Sequence, residues 1–478
     1  MNYTIIANII GWVLVFEAAF MTPAGITAIV YREREGFALL ITMLLCLAAG
    51  FLLTRTRVKR KSIYAREGFV AVALCWIALS MFGALPFVLA GAIPSYIDAL
   101  FEVVSGFTTT GSSILPQVET LPKCLIFWRS FTHWIGGMGI LVFVMAILPL
   151  AGGSAMYLMK AESPGPSVGK LVPRVKSTAL LLYKMYLGLS VLQMIFLLAG
   201  GMPLFDSFTI MFGTAGTGGF GIKNDSMAGY SVYLQVVVTV FMILFGVNFS
   251  FFYLFLKKRF KDALKSAEVW VYLAVILTAT VLITVNVSGM FSSGAEAFQQ
   301  AAFQVGSIIT TTGYTTTNYD LWPEFSKMIL VLLMFIGACA GSTGGGIKVS
   351  RIIILGKTIL KELDYIVHPH NVKKLKMDGH VVEHTVLRSV NVYLALYLFV
   401  FASSVLLISL DNFDFATNFT AVATTLNNVG PGLAKVGPTG NFGMYSDFSK
   451  LVLTFDMLVG RLELFPVFIL FYRNTWRG

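Results

Sequence analysis

Charge is what this chain has least of. Asp, Glu, Lys and Arg make up 12% of its 478 residues, about half the roughly 25% usual in a soluble globular protein. With 56% hydrophobic residues and a mean hydropathy of +0.79, that shortage excludes an ordinary water-soluble globule. Cysteine is nearly as scarce. Cys46, Cys75, Cys124 and Cys339 lie in or beside apolar runs without CxxC or Cys/His ligand spacing, and they read as small packing residues. His133, His368 and His370 have no third ligand at metal spacing. There is no HExxH, no Ser/His/Asp ordering and no aspartate pair at membrane depth, so a membrane-embedded enzyme finds no support. The first apolar run has neither a basic leader nor a convincing cleavage site, and it is expected to persist as a helix.

What the chain has instead is a series of apolar runs, each long enough to cross a hydrocarbon core of roughly 30 Å. Ten spans are expected, at 5–30, 36–54, 68–91, 124–151, 178–200, 231–256, 268–290, 325–350, 389–410 and 448–472. The net charge of +11 suggests nucleic acid at first sight, but the basic residues sit in short loops between apolar runs, so no nucleic-acid partner is expected. They sort by side. The stretches 55–66, 153–177, 257–266, 348–388 and the tail after 472 hold 25 Lys and Arg, whereas the opposite loops hold seven. Such asymmetry marks the cytoplasmic side and puts both termini there.

Four of the outward loops contain a short helical stretch of about ten residues and then a Thr/Gly/Asn-rich tract: VVSGFTTTGSS (103–113), MFGTAGTGGFG (211–221), VGSIITTTGYT (305–315) and AVATTLNNVGPG (421–432). A half-length helix followed by irregular backbone at membrane depth is tolerated only where protein buries it or a watery cavity is lined. Aligned on Gly111, Gly218, Gly313 and Gly430, the tracts reveal an internal repeat, with Phe101, Phe208, Phe303 and the exception Thr420 ten residues upstream. The expected fold is all-α and polytopic, with four pseudo-symmetric helix–pore helix–helix repeats around one pore. The expected units are an N-terminal helix pair (1–66), repeats at 67–177 and 178–266, a third at 267–388 with a gating loop and cytosolic segment, and a fourth at 389–478.

A pore for a dehydrated monovalent cation needs oxygens in place of water, and backbone carbonyls with threonine hydroxyls supply them. The candidate ion-binding residues are Thr108, Thr109, Thr110, Gly111 and Ser112; Ala215, Gly216, Thr217, Gly218 and Gly219; Thr310, Thr311, Thr312, Gly313 and Tyr314; and Asn427, Asn428, Val429, Gly430 and Pro431. Gly216, Gly218 and Gly221 also spell the dinucleotide pattern GxGxxG, but no strand–turn–helix context surrounds it. The eighth span contains GACAGSTGGGIK (337–348). Each glycine costs a helix about 1 kcal/mol relative to alanine, so Gly341, Ser342, Thr343, Gly344, Gly345 and Gly346 are either a close-packing face or an unwound, movable obstruction below the filter. Arg461, within MLVGRLELFP, stands either in a structural ion pair or near the pore axis, where it lowers cation occupancy. Arg129, near the outer end of its span, reads better as an interfacial anchor.

The segments TTTGS (108–112), FWRSFTHWIGGMGI (127–140), TAGTGGFG (214–221), TTTGYTTT (310–317), GACAGSTGGGIK (337–348), ATTLNNVGPGL (423–433) and GRLELFP (460–466) resemble the Trk/Ktr/HKT superfamily of cation transporters, specifically its TrkH-type bacterial potassium uptake proteins. The extra N-terminal helix pair favours that type. The resemblance implies K⁺ selectivity from four filter glycines, a gating loop at 341–346 and a pore arginine at 461. It further implies a homodimer in the bacterial inner membrane and cytosolic TrkA-like regulatory subunits docked on a face that includes 348–388. Any NAD- or ATP-class nucleotide would then belong to the partner, leaving K⁺ as the ligand of this chain. Removing the loop is expected to leave K⁺ preference intact. The competing reading is a Na⁺- or H⁺-coupled transporter, for which Glu17 and Glu102 are the candidate carboxylates.

Overall fold

The computed structural model describes residues 1–55, 64–139, 175–370 and 374–477. Most of the basic stretch at 55–66, most of the segment 153–177 and the inner half of the expected span 124–151 lie outside these residues. The described chain is mostly helical, with one small hairpin that pairs Lys376–Met377 with His380–Val381.

A unit of three parts recurs four times. The leading spans are Ala65–Gly83 with its short continuation Leu85–Leu89, then Val175–Ala199, Ala267–Val287 and His384–Ile408. Each is followed by a short helix: Tyr96–Phe107, Leu204–Gly216, Gly294–Ile309 and Phe415–Asn427. Three of the short helices start on a side-chain cap, where Ser95, Ser293 and Asp414 accept the N–H of Asp98, Glu296 and Thr417 at 3.3, 3.2 and 3.0 Å. Trailing spans begin at Lys123, Val232, Glu324 and Asp447.

The ten expected spans are not ten helices. Six described helices are long and apolar enough to cross a membrane by themselves. The difference lies in the trailing spans. The second bends by 91° between Val232–Phe245 and Phe249–Leu256. In the third, Glu324–Ile336 stops at Gly337 and helix resumes only at Val349. The fourth breaks between Asp447–Arg461 and Phe465–Phe471. In the first, Lys123–Met138 ends at Gly139 with φ 79°. Only the third break was expected.

The additional helices Tyr3–Tyr31 and Gly36–Thr54 meet at a glycine seam, where a Cβ on Gly11 would lie 2.9 Å from the Gly50 carbonyl oxygen. Their connecting turn is tied to the first repeat. Glu33 accepts the N–H groups of Lys123 and Cys124 at 2.7 and 2.8 Å, capping a trailing span that has no local side-chain cap. All four cysteines are buried and free.

Candidate functional site

The four short helices end in the same unusual way. Shortly after each, one residue takes left-handed φ: Thr109 (54°), Thr217 (55°), Thr311 (59°) and Asn428 (55°). A β-branched residue in that region is strained, at a cost of order 1–3 kcal/mol. Two residues later stands a glycine at positive φ, namely Gly111, Gly219, Gly313 or Gly430. Between them, the N–H groups of Thr110, Gly218, Thr312 and Val429 return at 2.8 Å to the carbonyls of Ser105, Gly213, Ser307 and Thr424. The second tract is therefore one residue out of the expected register. Gly219, not Gly218, matches the other three glycines. Ala215, Gly216 and Asn427 still belong to the last turns of their helices.

These glycines close a ring. A Cβ on Gly111 would collide with the carbonyl oxygen of Gly218, one on Gly219 with that of Thr312, and one on Gly313 with that of Val429. On Gly430 it would meet the Thr110 carbonyl oxygen at 2.9 Å. Each tract thus packs its glycine on the carbonyl preceding the glycine of the next, in chain order, and the fourth returns to the first. All four glycines line one cavity of about 140 Å³, with Ser112, Thr315 and Pro431 at its wall. Ser112 Oγ donates to the Gly430 carbonyl at 3.1 Å, and the Tyr314 hydroxyl reaches the Ile210 carbonyl at 3.2 Å. Four helix C-termini face this ring, and their partial negative charge favours a cation.

Behind the ring lies the irregular segment of the third trailing span. Gly345 N–H donates to Thr311 Oγ1 at 2.6 Å, and Gly346 N–H to the Asn427 carbonyl at 3.0 Å. Thr343 bonds the Phe245 carbonyl through its hydroxyl at 3.2 Å, Ser342 Oγ bonds the Cys339 carbonyl, and Lys348 Nζ bonds the Gly344 carbonyl. Gly341 packs beside Asn248 and offers its carbonyl to Phe249 N–H at 3.0 Å. Arg461 donates to the Thr343 carbonyl at 2.8 Å and to the Gly136 and Gly137 carbonyls at 2.6 and 2.8 Å. It therefore joins this segment to the first trailing span.

A family model for TrkH, described as a cation transport protein, matches residues 35–269 and 263–476. Over its whole length the chain is 36% identical to the Trk system potassium uptake protein TrkH of Salmonella typhimurium, and likewise to that of Escherichia coli K12, covering 100% of each. The crystal structure of the potassium transporter TrkH from Vibrio parahaemolyticus superposes with a TM-score of 0.90 at 33% identity, covering 100% of both chains. The chain belongs to the TrkH family.

In this TrkH-family chain three charged or polar groups behave differently from their expected roles. Arg129 is not an interfacial anchor: it is 3% exposed and pairs with the buried Glu102 at 2.6 Å. It also donates to the Gly221 carbonyl at 3.1 Å and lies 3.4 Å from the Phe220 ring centroid. Glu102 additionally accepts Ser113 Oγ and Ile114 N–H, both at 2.9 Å, so its carboxylate braces the first tract. His133, to which the sequence assigns no metal role, packs against Gly218 of the second tract. The GxGxxG pattern begins at Gly216, which ends a helix rather than opening one.

Proposed function

We propose that the chain carries potassium ions into the cell across the cytoplasmic membrane through the ring of tracts, selecting K⁺ with backbone carbonyls. The observation that carries this reading is the closed ring of four positive-φ glycines, each seated on a carbonyl of the next tract and all lining one cavity. Carbonyl rings replace the hydration shell of a monovalent cation without any protein side chain changing charge. Inward movement needs no hydrolysis site here, since a cation gains about 2.3 kcal/mol per 100 mV on entering a negative interior. The filter residues are those named above in the four tracts, with Gly219 taking the place given to Gly218. The segment Gly341–Gly346 is the gate and Arg461 its latch. The repeat boundaries are those set out from the sequence.

The excess of Lys and Arg in one set of loops supports cytoplasmic termini. Family membership supports a homodimer and a cytosolic TrkA-like partner that holds the regulating nucleotide, with no cofactor and no enzymatic activity in this chain. The deciding experiment is ⁸⁶Rb⁺ uptake into liposomes at fixed voltage, with Na⁺ as competitor and with or without the partner. Voltage-driven uptake that Na⁺ fails to block supports the reading; uptake that requires a Na⁺ or H⁺ gradient overturns it. The coupled alternative rests on Glu17, which is buried and whose carboxylate has no hydrogen-bond partner among the described residues.

A further inference from the structure

The second tract is chemically the poorest of the four. In the first and third, the residue before the glycine is a threonine, Thr110 or Thr312. Its hydroxyl lies 2.8 Å from that of Thr108 or Thr310. Those hydroxyls in turn donate at 2.6 Å to the Val104 and Gly306 carbonyls, anchoring tract to helix. The fourth tract has Asn427, whose amide donates to the Ala423 carbonyl at 2.8 Å. At the corresponding positions the second tract has Gly216 and Gly218, and glycine can make no such tie.

An imidazole occupies the gap. His133 comes from the first trailing span and is fully buried. Its Nδ1 lies 2.8 Å from the Gly106 carbonyl oxygen, which can only accept, so Nδ1 carries the proton. Nε2 is then free to accept the N–H of Phe220 at 3.2 Å. The ring lies against Phe220, with centroids 4.1 Å apart and planes tilted by 39°. A Cβ built on Gly218 would fall inside it, 2.5 Å from Cγ and 2.6 Å from Cε1. The imidazole therefore fills the space that a threonine side chain at residue 218 would enter. It also bonds the first short helix to the backbone just past Gly219.

We propose that His133 is the positioning residue of the second tract, supplying from a neighbouring span the side-chain bulk and hydrogen bond that Gly218 lacks. Through it the Gly218 carbonyl is held against Gly111, and one quarter of the ring keeps its geometry. This inference rests on the reading of the ring as the K⁺ filter.

The test uses the full-length protein in liposomes, with K⁺ over Na⁺ preference read from ⁸⁶Rb⁺ uptake under competition. His133→Ala lowers that preference by about tenfold, the worth of one buried hydrogen bond. His133→Gln restores it, because its amide offers both an N–H donor for the Gly106 carbonyl and a carbonyl acceptor for the Phe220 N–H. Gly218 does not lie in the left-handed region, so threonine is admissible there once the ring is gone. His133→Ala combined with Gly218→Thr is therefore more selective than His133→Ala, whereas Gly218→Thr alone is impaired. Wild-type preference in His133→Ala overturns the proposal, as does a Gln variant no better than Ala. If the Ala variant fails to assemble, the comparison is with Gly218→Thr alone: His133→Gln and the double variant are both more selective than it, and a Gln or double variant no more selective overturns the proposal. Gly111→Ser serves as the control: selectivity unchanged there removes the filter reading itself, whereas selectivity lost there but kept in His133→Ala removes only the role of His133.

Discussion

Replacing Arg461 separates a latch from a charge. Among its hydrogen bonds, the one to the Thr343 carbonyl reaches the irregular segment, while those to Gly136 and Gly137 hold the guanidinium on the first trailing span. A hydrogen bond from a charged donor contributes about 1.5–3 kcal/mol. If opening breaks the Thr343 bond, Arg461→Ala removes that amount from the closed state and raises the open fraction about 10- to 100-fold. Loss of the fixed charge acts in the same direction, since two unit charges 4 Å apart interact by about 4 kcal/mol at an effective dielectric constant of 20. Arg461→Lys distinguishes the two. Lysine keeps the charge but loses the planar fork that spans two segments, so its flux lies between wild type and Arg461→Ala. The assay is ⁸⁶Rb⁺ uptake without the partner, normalised to assembled protein. An Arg461→Ala protein that assembles normally and conducts no more than wild type would refute both the latch and the barrier.

Gly219→Ser and Gly313→Ser should lower K⁺ preference over Na⁺ more than any substitution at Lys357 or Lys361, because each Cβ collides with a carbonyl of the next tract; uptake under Na⁺ competition measures this, and equal preference removes the ring from selection. Thr311→Val strips the acceptor from Gly345 N–H and leaves a buried donor unpaired at about 1–3 kcal/mol, so it should raise basal flux while Thr311→Ser does not. For the same reason, deleting Gly341–Gly346 should raise flux and also weaken selectivity, contrary to the expectation that the filter is untouched; a deletion protein that conducts freely at wild-type selectivity would restore that expectation. Arg129→Gln leaves Glu102 buried without its counter-charge, and breaking such a pair costs about 3–5 kcal/mol. Its thermal unfolding midpoint in detergent should fall, and an unchanged midpoint would show that the pair does not brace the first tract.

The architecture was legible because apolar runs and repeated glycine tracts are patterns in one dimension. The register of the second repeat was not, and the reason is specific. Phe208 aligns with Phe101 and Phe303 only if Gly218 is the matching glycine, yet Phe101 and Phe303 are buried while Phe208 is 37% exposed. Ten residues before Gly219 stands the buried Thr209, which corresponds to the buried Thr420 of the fourth repeat. In a chain with 40 phenylalanines a coincidental match is cheap, and two adjacent glycines offer no side chain with which to reject it. The other breaks in the trailing spans went unread for different reasons. The first also ends on glycines, Gly136, Gly137 and Gly139, inside what reads as one long apolar run, whereas the fourth turns at Leu464, with φ 67°, where no glycine stands.

Groups that act across elements escaped for a different reason. Arg129 finds Glu102 on another helix, and the partners of His133 are the backbone carbonyl of Gly106 and the backbone N–H of Phe220. Pairing of this kind leaves no spacing to read. It also explains how a fourfold ring can be built from four dissimilar tracts. What recurs in all four is backbone: a left-handed residue, a returning N–H and a positive-φ glycine. Carbonyl ligands require only that backbone, so the side chains that hold it are free to differ. Threonine pairs hold two tracts and Asn427 a third, and Asn428 donates to Thr110 Oγ1 to join the fourth to the first. The second is held from outside by His133. Symmetry is strict where the ion would be bound and relaxed one layer behind, which is where selectivity can be altered without touching a ligand.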